Sequence, residues 1–335
     1  MKKSALNAFQ IASFLAGVAL FIYLVKQTGL STLADYLRMM GWGFVLIIVL
    51  SAVRNCARAG SWYYAIEPVQ RDVTFWRLMN VMLAGEAVKY LTATGPLLAE
   101  PAKAAMVRRQ VPLLQGFSSV LVENLIYYLT VFIFMFAALP ALAWLAEVPG
   151  NVKLAGYVLV GAIALAVLAA WLAIRWRWFV LARGLDQLAR LTKRSSRIDS
   201  IAAQVRVVEE NLYSFYERRR GAFYLIFSLN MSAHLINVVE VVIILALMDL
   251  PPKFLNGFVI EAVTKVINLV FFFVPTRAGV YESGNALLLS ALGMSAAAGV
   301  ALAIIRKLRA FVWIAYGLVV IGAMTLRKGR EELKI

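Results

Sequence analysis

The chain has 335 residues, 62% of them hydrophobic and only 16% charged, with a mean hydropathy of +0.78. A soluble protein of this length could not hide so much apolar surface, so the composition points to a polytopic membrane protein. The net charge of +16 would suit nucleic acid. The basic residues, however, gather in loops and the tail, as topology signals and anionic-lipid contacts do, so nucleic acid is set aside.

In chain order, Lys2 and Lys3 precede an apolar run that closes without a small-residue cleavage site, so 8–25 reads as a first transmembrane helix. Leu30, Leu33, Leu37 and Met40 would lay a short helix on the outer surface. Further runs at 41–60, 113–145, 152–174, 221–248 and 295–326 are each compatible with a span. Regions 73–110 and 254–292 differ: each holds an apolar stretch, a Gly/Pro break and a second, shorter helical stretch. Between the halves, 175–220 carries eleven basic residues against five acidic ones. Its RWRWFVLARGLDQLARL predicts an amphipathic helix at the cytoplasmic interface, facing anionic lipid headgroups.

Orientation follows from charge. With Lys2, Lys3, the 175–220 segment, Arg327, Lys328 and Arg330 inside, the weakly charged loops 26–40, 146–152 and 249–253 fall outside. The two broken regions must then be hairpins that open on opposite faces, re-entrant or fully crossing. Shifting the chain by 182 residues lays 41–145 over 223–327, so that Asn55 meets Asn237, Arg58 meets Glu240, Glu100 meets Glu282 and Asn124 meets Arg306. The expected fold is an all-α polytopic membrane protein of two inverted-topology repeats, with both termini cytoplasmic. Residues 1–174 form the first half with hairpin 73–110, 175–220 the basic linker, and 221–335 the second half with hairpin 254–292.

One cysteine, Cys56, and one histidine, His234, leave no disulfide, thiolate cluster or histidine-rich metal site. No GxSxG elbow, P-loop or HExxH occurs, so no catalytic residue, metal or cofactor is assigned. Charges within the spans are the stronger signal, since each costs about 2.5 to 3.5 kcal/mol on insertion scales. Arg54 and Arg58 share a helical face, with snorkelling as the plain alternative. Glu86 with Lys89, and Glu261 with Lys265, could each be a structural ion pair. Glu123 and Glu240 sit inside spans, and His234 is read as a hydrogen-bonded core residue ahead of a proton relay. Arg306 and Arg309 lie deep in the last span and need anionic company from Glu282, Glu261, Glu240 or a lipid phosphate.

The stretches GEAVKYLTATGPLLAEPAKAAMVRR, VLVEN and VPTRAGVYESGNALLLSALGMSAAAGVALAIIRKLR resemble the lysylphosphatidylglycerol synthase transmembrane family, also called the flippase-like domain family. Nearly the whole chain takes part. In larger relatives this domain moves a lipid between leaflets and a separate soluble domain makes it; no synthase domain follows here, so the resemblance implies the translocation half alone. A stand-alone chain of this size is also similar to the hopanoid-associated branch. The family motif falls on Gly95 and Glu100, on Pro275, Gly279 and Glu282, and on Glu123 and Arg306, with Pro96 beside the first break. Two positions depart from the usual pattern: Asn124 stands where an Arg is common, and Arg277 interrupts a glycine-rich turn.

These readings converge on a lipid transporter or flippase-like protein of the bacterial inner membrane. It would move an anionic or zwitterionic lipid through a charged groove at the repeat interface. Arg54, Arg58, Lys89, Glu123, Glu240, Glu261, Lys265, Arg277, Arg306 and Arg309 form the expected binding set. Gly95, Pro96, Glu100, Pro275, Gly279 and Glu282 form the hairpins, with Glu100 and Glu282 as hairpin clamps or proton carriers. A membrane-embedded transferase on a lipid-linked substrate and a non-transporting scaffold are the alternatives. A homo-oligomer or a lipid-synthesis partner fits any of the three.

Overall fold

The computed structural model describes residues 30–92, 95–145, 180–191, 196–271 and 279–332, with residue 22 and scattered positions between 158 and 178. Every regular element among them is a helix. In order they are α1 (Leu30–Met40), α2 (Gly43–Ala65), α3 (Phe75–Leu91), α4 (Pro96–Met106), α5 (Leu113–Leu145) and α6 (Val180–Leu191). There follow α7 (Ser196–Arg218), α8 (Arg220–Leu247), α9 (Phe254–Val270), α10 (Val280–Ala291) and α11 (Ala296–Glu332), with a short 3-10 turn at Pro68–Gln70.

Four helical stretches are long and apolar enough to cross a membrane: Gly43–Ala65, Leu113–Ala143, Arg220–Leu247 and Ala296–Leu326. They match the runs expected at 41–60, 113–145, 221–248 and 295–326. The expected span 8–25 lies outside the described residues except for one helical position, and 152–174 is described only at isolated helical positions. At 1.5 Å per residue the 37-residue α11 is about 55 Å long, well beyond a hydrocarbon core of about 30 Å, so it leaves the bilayer before it ends.

Local chemistry sets the ends. Helix α2 stops ahead of Pro68, with Ile66 already extended, and Thr74 caps α3 by accepting the Arg77 N–H at 3.3 Å. Each hairpin's second arm starts at a glycine with positive φ, Gly95 at 47° and Gly279 at 80°. A side chain at either position would strain the backbone, which is why the breaks fall there. The second arms, α4 and α10, have 11 and 12 residues. Those lengths cover less than about 20 Å, so neither arm crosses the hydrocarbon core as a helix.

Packing is systematic. Helix α2 lies along α8; α3 packs on α11, and α9 on α5; α4 packs on α5, and α10 on α11. Within each hairpin, α3 meets α4 and α9 meets α10. Among the described residues four buried apolar clusters result, two of them large. One of the large cores gathers Trp62, Leu78, Val120 and Ile226, the other Ile47, Ile244, Ile260 and Leu302. Helix α2 reaches the second core first, at Ile47, and α8 reaches it last, at Ile244, so the two helices run antiparallel between the same pair of apolar plugs.

The basic segment is a pair of helices packed on each other, joined by Arg206–Asp186 at 2.7 Å. Buried Glu209 accepts the Ala182 N–H at 3.1 Å and so anchors the start of α6. Helix α7 docks on α5, where Asn211 reaches Ser118 and Phe215 joins the Trp62 core. Through α7 this segment packs on the bundle.

Helix α11 lies directly on two backbones. A Cβ on Gly299 would stand 2.3 Å from the Asn285 carbonyl oxygen, and one on Gly317 would stand 2.5 Å from that of Leu83. Small residues at such contacts let helices approach closely in lipid. Gly299→Val and Gly317→Val are each expected to destabilise by about 1 to 3 kcal/mol or more, read as a lowered melting temperature of the detergent-solubilised protein. Gly221→Ala, where a Cβ meets nothing within 4 Å, serves as the neutral control.

Candidate functional site

Helical spacing puts the polar residues of each span on one face, and the packing turns those faces towards each other. On α2, Arg54 and Arg58 are one turn apart; on α8, His234, Asn237 and Glu240 rise along one stripe. Because α2 and α8 lie side by side, Arg54 donates to Oδ1 of Asn237 at 3.2 Å and to Oδ1 of its neighbour Asn55 at 2.9 Å. Arg58 reaches the Glu123 carboxylate of α5 at 3.0 Å, and its guanidinium lies 3.7 Å from the Tyr127 ring centroid. Both contacts hold a cation by its charge, one through a carboxylate and one through a ring face.

The opposite wall comes from the hairpins and α11. On α3, Lys89 stands 3.6 Å from Glu86; on α9, Lys265 stands 2.9 Å from Glu261. Arg306 binds the other Glu261 oxygen at 2.5 Å and lies 3.9 Å from Glu240. Arg309 takes both oxygens of Glu240, and Lys307 pairs with Glu282. Glu240 is fully buried and Glu261 nearly so. A carboxylate at that depth requires such partners, because removing one partner leaves a bare buried charge.

Together these residues enclose a cavity of about 300 Å³. It lies midway along α2 and α8, between the two apolar cores: Arg54 to Arg58 falls between Ile47 and Trp62, and His234 to Asn237 between Ile226 and Ile244. Seven cations line it, namely Arg54, Arg58, Lys89, Lys265, Arg306, Lys307 and Arg309. Five carboxylates pair with six of them: Glu86 and Glu261 in the lining, Glu123, Glu240 and Glu282 behind it. Arg54 is the cation with no carboxylate within ion-pair distance among the described residues, and amide oxygens alone hold it. Among the described residues the layer keeps two surplus positive charges.

His234 sits at the edge of this layer, 3.1 Å from the Thr130 hydroxyl and against the rings of Tyr127 and Phe134. That is the packing of a satisfied core side chain. Among the described residues no group of His, Cys, Asp and Glu could hold a metal ion.

Of the ten residues expected to bind substrate, seven line the cavity: Arg54, Arg58, Lys89, Glu261, Lys265, Arg306 and Arg309. Glu123 and Glu240 stand one layer back as counter-ions. Arg277, with Pro275, lies outside the described residues. Gly95 and Pro96 begin α4, and Glu100 pairs with Lys103 at 2.7 Å on its own helix, outside the cavity lining. Glu282 accepts the Gly279 N–H at 2.9 Å and closes the hairpin turn; its charge faces Lys307, beside the arginines expected to meet it.

Sequence reasoning missed Tyr127, Tyr281 and Trp313 in the lining. The 182-residue shift held a signal for the first, because it sets Tyr127 opposite Arg309. The same shift sets Arg58 opposite Glu240; Arg58 rests on Tyr127, and Glu240 grips Arg309.

The family model described as the lysylphosphatidylglycerol synthase TM region matches residues 10–318. Searches of the curated proteins and of the solved structures found no match. The matched span contains three of the four apolar helices whole and most of the fourth, both hairpins and every residue of the cavity. This multi-pass membrane protein belongs to the lysylphosphatidylglycerol synthase transmembrane family.

Proposed function

We propose that this protein moves an anionic or zwitterionic lipid between the leaflets of a bacterial inner membrane, with both termini in the cytoplasm. The observation that carries the reading is the cationic cavity halfway along the antiparallel pair α2 and α8, with an apolar core on either side of it along those helices. A headgroup would occupy this layer while its acyl chains stay in the bilayer. Opening first one core and then the other would expose the headgroup to each side in turn.

The helix contacts support an inverted repeat as the frame for such motion. Exchanging α2, α3, α4 and α5 for α8, α9, α10 and α11 turns the contact of α3 with α11 into that of α9 with α5. It likewise turns α4 on α5 into α10 on α11, and leaves α2 on α8 unchanged. Inverted halves around a site near the midplane, with broken helices beside it, are a recurrent transporter plan. Within this plan the hairpins act as the gates, and the 175–220 helices lie against anionic headgroups on the cytoplasmic face.

The test is reconstitution into liposomes with a panel of fluorescent lipids, with and without a proton gradient. Wild type should translocate at least one lipid well above empty vesicles, and Arg54→Gln should lower the rate at least tenfold with a near-normal melting temperature, since it breaks no ion pair. Background rates for every lipid would overturn the reading; unchanged rates in Arg54→Gln would remove the cavity from it.

Stability and transport should also separate at Glu240. Glu240→Gln strands Arg309 in the interior and should cost about 3 to 5 kcal/mol. The double variant Glu240→Gln with Arg309→Met should recover most of the melting temperature while translocation stays impaired.

A further inference from the structure

The charge and the hydrogen-bonding character of the cavity specify more than a lipid headgroup in general. Four cavity-lining residues carry buried side-chain polar atoms with no hydrogen-bond partner: Nδ2 of Asn55 and Nε of Arg58, Arg306 and Arg309. All four are N–H donors. No buried acceptor of a lining residue lacks a partner among the described residues. Asn55, Arg306 and Arg309 are each less than a tenth exposed, so bulk water does not complete them. These atoms present no surface to the cavity as it stands, so a ligand that brings acceptors recovers the cost of an unpaired donor only where its side chain turns inward.

The two surplus positive charges point the same way. A zwitterionic headgroup adds no net charge and brings an ammonium into a layer already crowded with guanidinium groups. A phosphodiester adds one negative charge and leaves one cation uncompensated. A phosphomonoester carries about −1.5 to −2 at neutral pH and presents three strong acceptor oxygens. Arg54, held only by the amide oxygens of Asn55 and Asn237, is free to exchange these neutral partners for an anionic one, and Asn55 would then turn its orphaned Nδ2 to the same group. Charge-assisted contacts of guanidinium to phosphate are stronger than those to an amide.

We infer that the cavity binds a dianionic phosphomonoester group and selects it over phosphodiester and zwitterionic headgroups, with Arg54 and Asn55 as its principal donors. This rests on the lipid-translocation reading and names the substrate class of the same site.

The test is equilibrium binding to the full-length protein in a neutral detergent, with four probes: dihexanoyl phosphatidate, dihexanoyl phosphatidylglycerol, dihexanoyl phosphatidylcholine and glycerol 3-phosphate. Phosphatidate should bind at least tenfold more tightly than phosphatidylglycerol, and phosphatidylcholine should not compete with it. Arg54→Gln should weaken phosphatidate about tenfold and compress its advantage over phosphatidylglycerol; Arg54→Lys should recover part of both. Glycerol 3-phosphate at least tenfold weaker than phosphatidate assigns the group to a lipid; equal affinity keeps the dianion and assigns it to a solute. Wild type that binds phosphatidylglycerol or phosphatidylcholine as tightly as phosphatidate overturns the inference, with no mutant needed. Because binding is read without vesicles, the two failures are distinct. Translocation of diester lipids without this preference sinks the inference alone, and phosphatidate bound but never moved sinks the translocation reading alone.

Discussion

Charge neutralisation at mid-depth is the constraint on which this fold depends. A cation inside a membrane is expensive unless an anion or water meets it, and here seven converge on one layer. The register of every surrounding helix answers to that. Glu240 must reach Arg309, Glu261 must serve Lys265 and Arg306 at once, and Glu123 must reach across from α5 to Arg58. A slide of one residue along any of these helices would rotate the partner off its face by about 100°. The ion pairs are therefore weak as a source of net stability and strong as a specification of one arrangement.

The polar layer also divides the apolar packing. Side chains from α2, α3 and α5 form most of one core on one side of it, while α8, α9, α10 and α11 dominate the core on the other. A smaller cluster of Ala87, Leu308, Phe311, Ile314 and Leu318 lies beside the charges, where α3 meets α11. A bundle divided this way resists opening from both ends at once, because each core buries its own set of large side chains.

Much of the architecture was legible from residues alone. Four long apolar runs and two Gly/Pro-broken stretches became four spans and two hairpins, because run length and the positions of Gly95 and Gly279 determine both. The cavity cations were legible as well, since Arg54, Arg58, Arg306 and Arg309 have no reason to lie in an apolar run unless they meet something. What could not be read was partnership. Lys89 and Glu86 look like Lys103 and Glu100 in sequence, three residues apart on a hairpin arm, yet one pair lines the cavity and the other does not. The aromatic wall was invisible too, because Tyr127 and Trp313 sit in spans where any aromatic residue passes as lipid-facing. The packing of the 175–220 helices onto α5 depends on Asn211 and Phe215, whose role only the partner surface discloses.

The two hairpins carry their charges differently. Both acids of the first, Glu86 and Glu100, pair with lysines of the same hairpin. Both acids of the second, Glu261 and Glu282, hold Arg306 and Lys307 of α11. Displacing the first hairpin as a rigid piece thus keeps Glu86 and Glu100 with their lysines, whereas displacing the second parts Glu261 from Arg306 and Glu282 from Lys307. Electrostatically the first hairpin carries its own counter-ions, while the second is riveted to the longest helix.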